Sequence, residues 1–156
     1  MKKFLKDKTG LTLLEIIIAS ALIATTLTVG YSIYVMGLRT FNRDAANIEI
    51  QQNIRFASSY INKKLLNASE ESVKIYKGTY SGDRLAIGNE FFQLSGTTLQ
   101  VDHNYNSGHP NFNPLAEGVK DFKVNKEGRF VTVTIIGENA RTGQEFSTVI
   151  EVFLRK

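Results

Sequence analysis

The chain contains no cysteine. A disulfide framework, a thiolate nucleophile and a Cys-based zinc site are therefore excluded, and the fold must be held by its core. Proline occurs only at Pro110 and Pro114, so nothing forces a helix break anywhere before them. Charge is missing from one long stretch: between Leu11 and Leu38 the single charged residue is Glu15. Catalytic patterns are missing too. There is no Ser-His-Asp arrangement, no glycine-rich phosphate loop after a strand and no metal-binding motif, so no enzyme activity, cofactor or metal is expected. His103 and His109 lie near Asp102 in an Asn-rich segment. Two histidines without a third convincing ligand make a poor metal site, and an exposed polar loop is the expectation there.

The formal net charge of +4 suggests a nucleic-acid or membrane-surface protein at first sight. Its distribution argues otherwise. Lys2, Lys3, Lys6 and Lys8, opposed by Asp7, place +3 within the first ten residues and leave +1 for the rest. A remainder so near neutrality gives little support for sequence-independent phosphate binding.

Four regions follow from the pattern. Residues 1–10 are short, basic and polar. Residues 11–38 are long and apolar enough to cross a bilayer core, which takes about 20 such residues as a helix. In residues 39–69 charge returns but a helical rhythm persists. Phe41, Ala45, Ile48, Ile50, Ile54, Ala57, Ile61 and Leu65 mark one amphipathic face. One continuous helix is predicted from about Leu11 to about Leu66. At about 1.5 Å per residue it would reach roughly 80 Å, far too long for a small domain to bury. Gly30 and Gly37, with Thr25, Thr26 and Thr28 before them, mark either a point of local unwinding on packing or a close helix–helix contact.

Residues 70–156 read as strands. Runs are expected at Ser72–Tyr76, Arg84–Ile87, Glu90–Leu94, Thr98–Val101, Val119–Val124, Phe130–Ile136 and Phe146–Leu154. Asp102–Pro114, rich in Asn, Gly and Pro, is the expected loop. Phe91, Phe92, Phe112, Phe122, Phe130, Phe146 and Phe153 are expected to form domain core. Asn67-Ala-Ser69 matches a glycosylation acceptor but reads better as a polar cap at the helix end.

The first thirty-eight residues invite two ordinary readings. A secretory signal would be cut after Ala19-Ser-Ala21, yet the apolar run continues to Leu38 and Glu15 would lie inside the inserting core. A plain anchor gives no reason for a carboxylate there, and ionisable residues in membrane segments usually have a partner.

The run Lys8-Thr-Gly-Leu-Thr-Leu-Leu-Glu15 resembles the class III signal of type IV prepilins. The resemblance implies cleavage after Gly10 by a prepilin peptidase/methyltransferase and N-methylation of Leu11. Leu11 departs from the phenylalanine or methionine more usual at that position. Glu15 then becomes the fifth mature residue, where the family pairs a glutamate with the N-terminal amine of a neighbouring subunit. The pilin fold follows as an α+β expectation. A long N-terminal helix, membrane-spanning and then amphipathic, packs on an antiparallel β-sheet head. The divisions would be leader 1–10, membrane or filament-core half 11–38, amphipathic half 39–69 and head 70–156.

The strand pattern Gly118-Val-Lys-Asp-Phe-Lys-Val and the ending Thr148-Val-Ile-Glu-Val-Phe-Leu-Arg155 are similar to minor subunits. These are the J-type pseudopilins of type II secretion, PilW-like minor pilins and competence pseudopilins. Implied partners are other pilin-like subunits and the membrane, with a traffic ATPase and a platform protein acting indirectly. Nucleic acid enters only if the machine is a competence pilus. The implied location is the cytoplasmic membrane as a single-pass protein, then an extracytoplasmic or cell-surface filament, with a place in an initiation or tip complex. The reading from another class is a membrane-anchored binding module that never assembles. Replacing Gly10 with a bulky residue is expected to leave the full-length precursor in the membrane; normal clipping of that variant on an immunoblot would contradict the expectation.

Overall fold

The computed structural model describes residues 12–78 and 82–156. A single helix, α1, runs unbroken from Leu13 to Leu66. The absence of proline permits this, and the local polar groups support it. The hydroxyls of Thr25, Thr26, Thr28 and Ser32 donate to carbonyls three or four residues earlier, at 2.8 to 2.9 Å. They are thereby satisfied without water, which a membrane core does not offer. The helix is continuous through Thr25–Gly30. It ends as expected: the Asn67 side chain donates to the Lys63 carbonyl at 3.0 Å, and Lys63 and Lys64 lie in the last turn, where positive charge is favoured.

The chain divides into two compact units, one ending at Asn42 and one running from Arg43 to Lys156. Among the described residues of the second unit, eight strands follow α1: β1 (Val73–Tyr76), β2 (Arg84–Ile87), β3 (Glu90–Ser95), β4 (Thr98–Asp102), β5 (Phe112–Glu117), β6 (Val119–Glu127), β7 (Phe130–Glu138) and β8 (Glu145–Phe153). They form a five-stranded sheet, β1 to β5 in order, and a three-stranded sheet, β6 to β8, with neighbours antiparallel throughout. Two-residue turns at Gly88-Asn89 and Gly96-Thr97 connect β2 to β3 and β3 to β4. Both glycines have φ of 60°, the first-position geometry of tight hairpin turns that side chains resist.

The second half of α1 packs on both sheets. Ile54, Ala57, Ile61 and Leu65 are buried together with Leu85, Phe92 and Leu99 of the larger sheet and Phe122, Val133 and Ile150 of the smaller. Burying each of the larger aliphatic side chains stabilises the unit by about 1.5–3 kcal/mol. Gly137 lets the helix approach β7, since a methyl group there would collide with Ile54 and Ile50. The layout is therefore the expected α+β one, a long N-terminal helix packed on antiparallel sheet.

Several details differ from the sequence reading. Phe41, Ala45 and Ile48 are exposed, and the polar Asn47 is buried in their place. The buried stripe starts at Asn47 because that side chain is fully engaged. It donates to Gln144 Oε1 at 3.0 Å and accepts from Asn139 Nδ2 at 2.6 Å, latching the helix to the β7–β8 connection. The segment Asp102–Pro114 is not one loop: a short 3₁₀ turn at Tyr105–Ser107 precedes β5, which begins at Phe112. Pro114 is tolerated because β5 is an edge strand. Among the phenylalanines, Phe91, Phe92 and Phe122 are buried, whereas Phe130 and Phe153 are 39% and 66% exposed. They lie opposite one another on the outward face of β7 and β8, with the Arg129 guanidinium 4.6 Å from the Phe153 ring.

Asp83 ties the two sheets together. Its Oδ2 accepts from the Val124 amide at 2.8 Å and from Lys77 Nζ at 2.8 Å, and its own amide donates to the Phe122 carbonyl. Burial by itself would raise the Asp83 carboxyl, but the hydrogen bonds from Lys77 and Val124 outweigh it and hold the group below the usual carboxylate range. Asp83→Ala is expected to lower the unfolding free energy by about 2–3 kcal/mol, measured by chemical denaturation in detergent. A depressed folded-state value means the contribution is full above about pH 4 and is lost as pH falls through the folded value. The gap between wild type and variant should therefore close on acidification; a gap that widens would contradict this account.

Candidate functional site

Glu15 is the one acid in the apolar half of α1, and it sits in the first turn. Its carboxylate faces backwards along the chain. Glu15 Oε2 accepts from the Thr12 amide and from the Thr12 hydroxyl, each at 2.9 Å. The Glu15 amide in turn donates to Thr12 Oγ1 at 3.2 Å. This is a reciprocal capping box. Thr12 is the N-cap, Glu15 occupies the third helical position, and two otherwise orphaned amides are satisfied. Negative charge is also favoured at this end of a helix.

The sequence reading singled out Glu15 and overlooked Thr12. The signal was present, because Thr12-Leu-Leu-Glu15 has the T-x-x-E spacing of a capping box ahead of an apolar run. Gly10 and Leu11, the expected cleavage and methylation positions, lie outside the described residues.

Downstream of this cap, the apolar half of α1 is uncovered. Leu13, Ile17, Leu22, Leu27, Ile33 and Met36 are all more than half exposed, and none of the most apolar window is buried. A helix that is apolar all round belongs in lipid or among other apolar helices. This helix is long and apolar enough to cross a membrane.

The two histidines are not brought together into a metal site. His103 Nδ1 lies 3.1 Å from Glu90 Oε1, while the His109 amide bonds the Ser107 hydroxyl. Among the described residues no group of three or more His, Cys, Asp or Glu is placed to hold a metal ion. Glu90 is instead a structural joint. Its Oε1 also accepts from Lys64 Nζ at 2.7 Å and from Tyr60 Oη at 2.9 Å, fastening α1 to β3. Burial opposes ionisation of Glu90, yet the Lys64, His103 and Tyr60 hydrogen bonds prevail and hold the carboxyl below its ordinary value. The hydrogen bond to Glu90 pushes the Lys64 ammonium up. Asp102, the last residue of β4, is buried, its Oδ1 accepting from the Asn104 amide at 2.9 Å.

Comparison with protein-family models, with curated proteins and with solved structures finds no match. What the geometry defines is a coarse class: an α+β layout whose long N-terminal helix, long and apolar enough to cross a membrane, carries the one acid of its apolar half in its N-terminal cap.

Thr12→Val removes the cap oxygen and leaves the apolar run intact. Amide exchange in the first turn of α1, followed in detergent micelles, is expected to accelerate roughly fivefold. Unchanged protection would show that the cap does not hold this end of the helix.

Proposed function

We propose that this chain is a non-enzymatic, pilin-like structural subunit, clipped after Gly10, N-methylated at Leu11 and inserted into a filament through its apolar helix. The observation that carries this reading is the coincidence of two features at one end of α1. The helix surface from Leu13 to Leu38 is apolar and uncovered, and Glu15 stands at its start with its carboxylate capped by Thr12.

The physical logic has two stages. In the membrane, a lone carboxylate is costly, and two hydrogen bonds from Thr12 reduce that cost. After clipping, the new amine at Leu11 of a neighbouring subunit supplies a positive charge, and pairing with it compensates Glu15 within a bundle of apolar helices. The helix serves first as anchor and then as filament core. On the resemblance to minor subunits, the place of this one is in the complex that starts the filament or forms its tip. The processing enzyme, sister pilin-like subunits, a platform protein and a traffic ATPase are the partners this implies. Which machine it serves, whether pilus, type II secretion or DNA uptake, is read from the company it keeps.

Intact mass spectrometry of protein from native membranes is expected to give a species beginning at methylated Leu11. Glu15→Val should still be clipped but should enter sheared filaments at a level at least about tenfold lower. A product beginning at Met1 would favour the anchored module that never assembles, and wild-type incorporation of the variant would remove the charge pairing.

A further inference from the structure

The three-stranded sheet ends at β8, and one side of that strand is open. The direction of its backbone groups follows from its end. Leu154 N donates to the Arg129 carbonyl at 2.8 Å, on the β7 side. Arg155 faces the other way: its N–H donates to the Ala68 carbonyl at 3.3 Å and its carbonyl accepts from Glu70 N at 3.0 Å. Backbone groups alternate along a strand, so Phe153, Glu151, Val149, Ser147 and Glu145 present N–H and C=O to this same open side. The register with β7 is unbroken from Phe130↔Phe153 to Glu138↔Glu145. Among the described residues none of these open backbone groups has a partner.

Apart from the charges of Glu145 and Glu151, the edge carries none of the usual protective devices. β8 is nine residues long, with no proline, no lysine, no glycine and no bulge. Exposed edges of that length are usually blunted by one of these. Beside it runs a groove, two adjoining cavities of about 350 and 390 Å³ that share Arg55 and Thr148. Its far wall is the polar flank of α1: Arg55, Ser58, Ser59 and Asn62. Just beyond β8, Ser69 forms a single parallel bridge with Arg155.

We propose that the open edge of β8 binds an extended strand of another protein chain, one that carries lysine or arginine on its outward face. The required chemistry follows from what the strand would meet. On the outward side it lies beside Val149, Glu151 and Phe153, all exposed, and beside Glu145, whose carboxylate already meets Lys120 at 2.6 Å, so a basic residue opposite Glu151 with apolar ones next to it fits. On the groove side it meets Arg55 and the hydroxyls of Ser58 and Ser59, so acidic or small polar residues fit. β8 itself contains no lysine or arginine, so a second copy would bring no cation of that strand to Glu151, which argues against self-pairing. The open backbone supplies affinity and the alternating side chains supply selectivity, as in other cases of strand addition. This inference stands apart from the filament reading, because an anchored head that never assembles would bind a strand in the same way.

The test uses the full chain in detergent micelles and a displayed library of random nonamer peptides. The selected peptides are expected to alternate, with lysine or arginine recurring on one face. N-methylating every second backbone amide of a selected peptide should weaken binding at least about tenfold, and Glu151→Lys should do so by a similar factor. Circular dichroism checks that this exposed substitution leaves the fold intact. Amide exchange at Val149 and Glu151 should slow in the complex. The proposal is overturned if no peptide is enriched, if N-methylated peptides bind equally well, if those amides gain no protection, or if the only association through β8 is with a second copy of this chain.

Discussion

Apolar helix surface has to be removed from water, and α1 carries two kinds of it. Up to Leu38 the surface is apolar on every side, so no single sheet could cover it. From Asn47 onward it narrows to one stripe, Ile50, Ile54, Ala57, Ile61 and Leu65, and the two sheets cover that stripe within the same chain. The first kind requires an environment that surrounds the helix, either lipid or other helices. The second requires only a folded head. The division of the chain near Asn42 thus follows from the change in how the helix hides its apolar atoms.

The capping box places the acid in that scheme. A carboxylate anywhere along the uncovered half would be a liability, but at the first turn the backbone itself has donors to spare. Glu15 takes the Thr12 amide and hydroxyl and lies where the helix dipole favours negative charge. The charge is tolerated in a single chain without being neutralised. On the filament reading proposed above, that combination suits a group that later meets a cationic partner better than a permanently buried ion pair would, because breaking a buried pair leaves a charge stranded.

The helix and most strands were legible because each carries its own periodicity and punctuation. Arg84–Ile87 matches residue for residue, bounded by Asp83 and Gly88. What escaped has long-range causes. Asn47 looks like an exposed polar residue until Asn139 and Gln144, which meet it from the far end of the chain, are in place. β5 was hidden by Pro114 and by its asparagines, which turn into edge-strand residues only once β4 lies beside them. Phe130 and Phe153 have strong strand preference, but preference does not say which face of a sheet is inside; their cross-strand pairing on the outer face does. Thr12 was legible in the T-x-x-E spacing it shares with Glu15, a local signal that needs no long-range partner.

The edges of the two sheets are guarded unequally, and the difference has a physical meaning. β6 is closed by the Asp83 amide and carboxylate, by Lys77 on the Val124 carbonyl, and by the bond from Val119 to Thr97. β1 is short, and Lys126 covers the Val73 carbonyl. β5 has Pro114, which offers no N–H to a stranger. Each device removes a backbone group that would otherwise recruit another strand. Protection of the same kind would have been easy to place on β8, where the outward residues are exposed and free to vary without disturbing the core. A lysine in place of Val149 or a proline at an open position would serve. The chain instead keeps a regular edge there, with acids on its face and an arginine across the groove. A surface left open where closing it costs little is better explained by an occupant than by neglect.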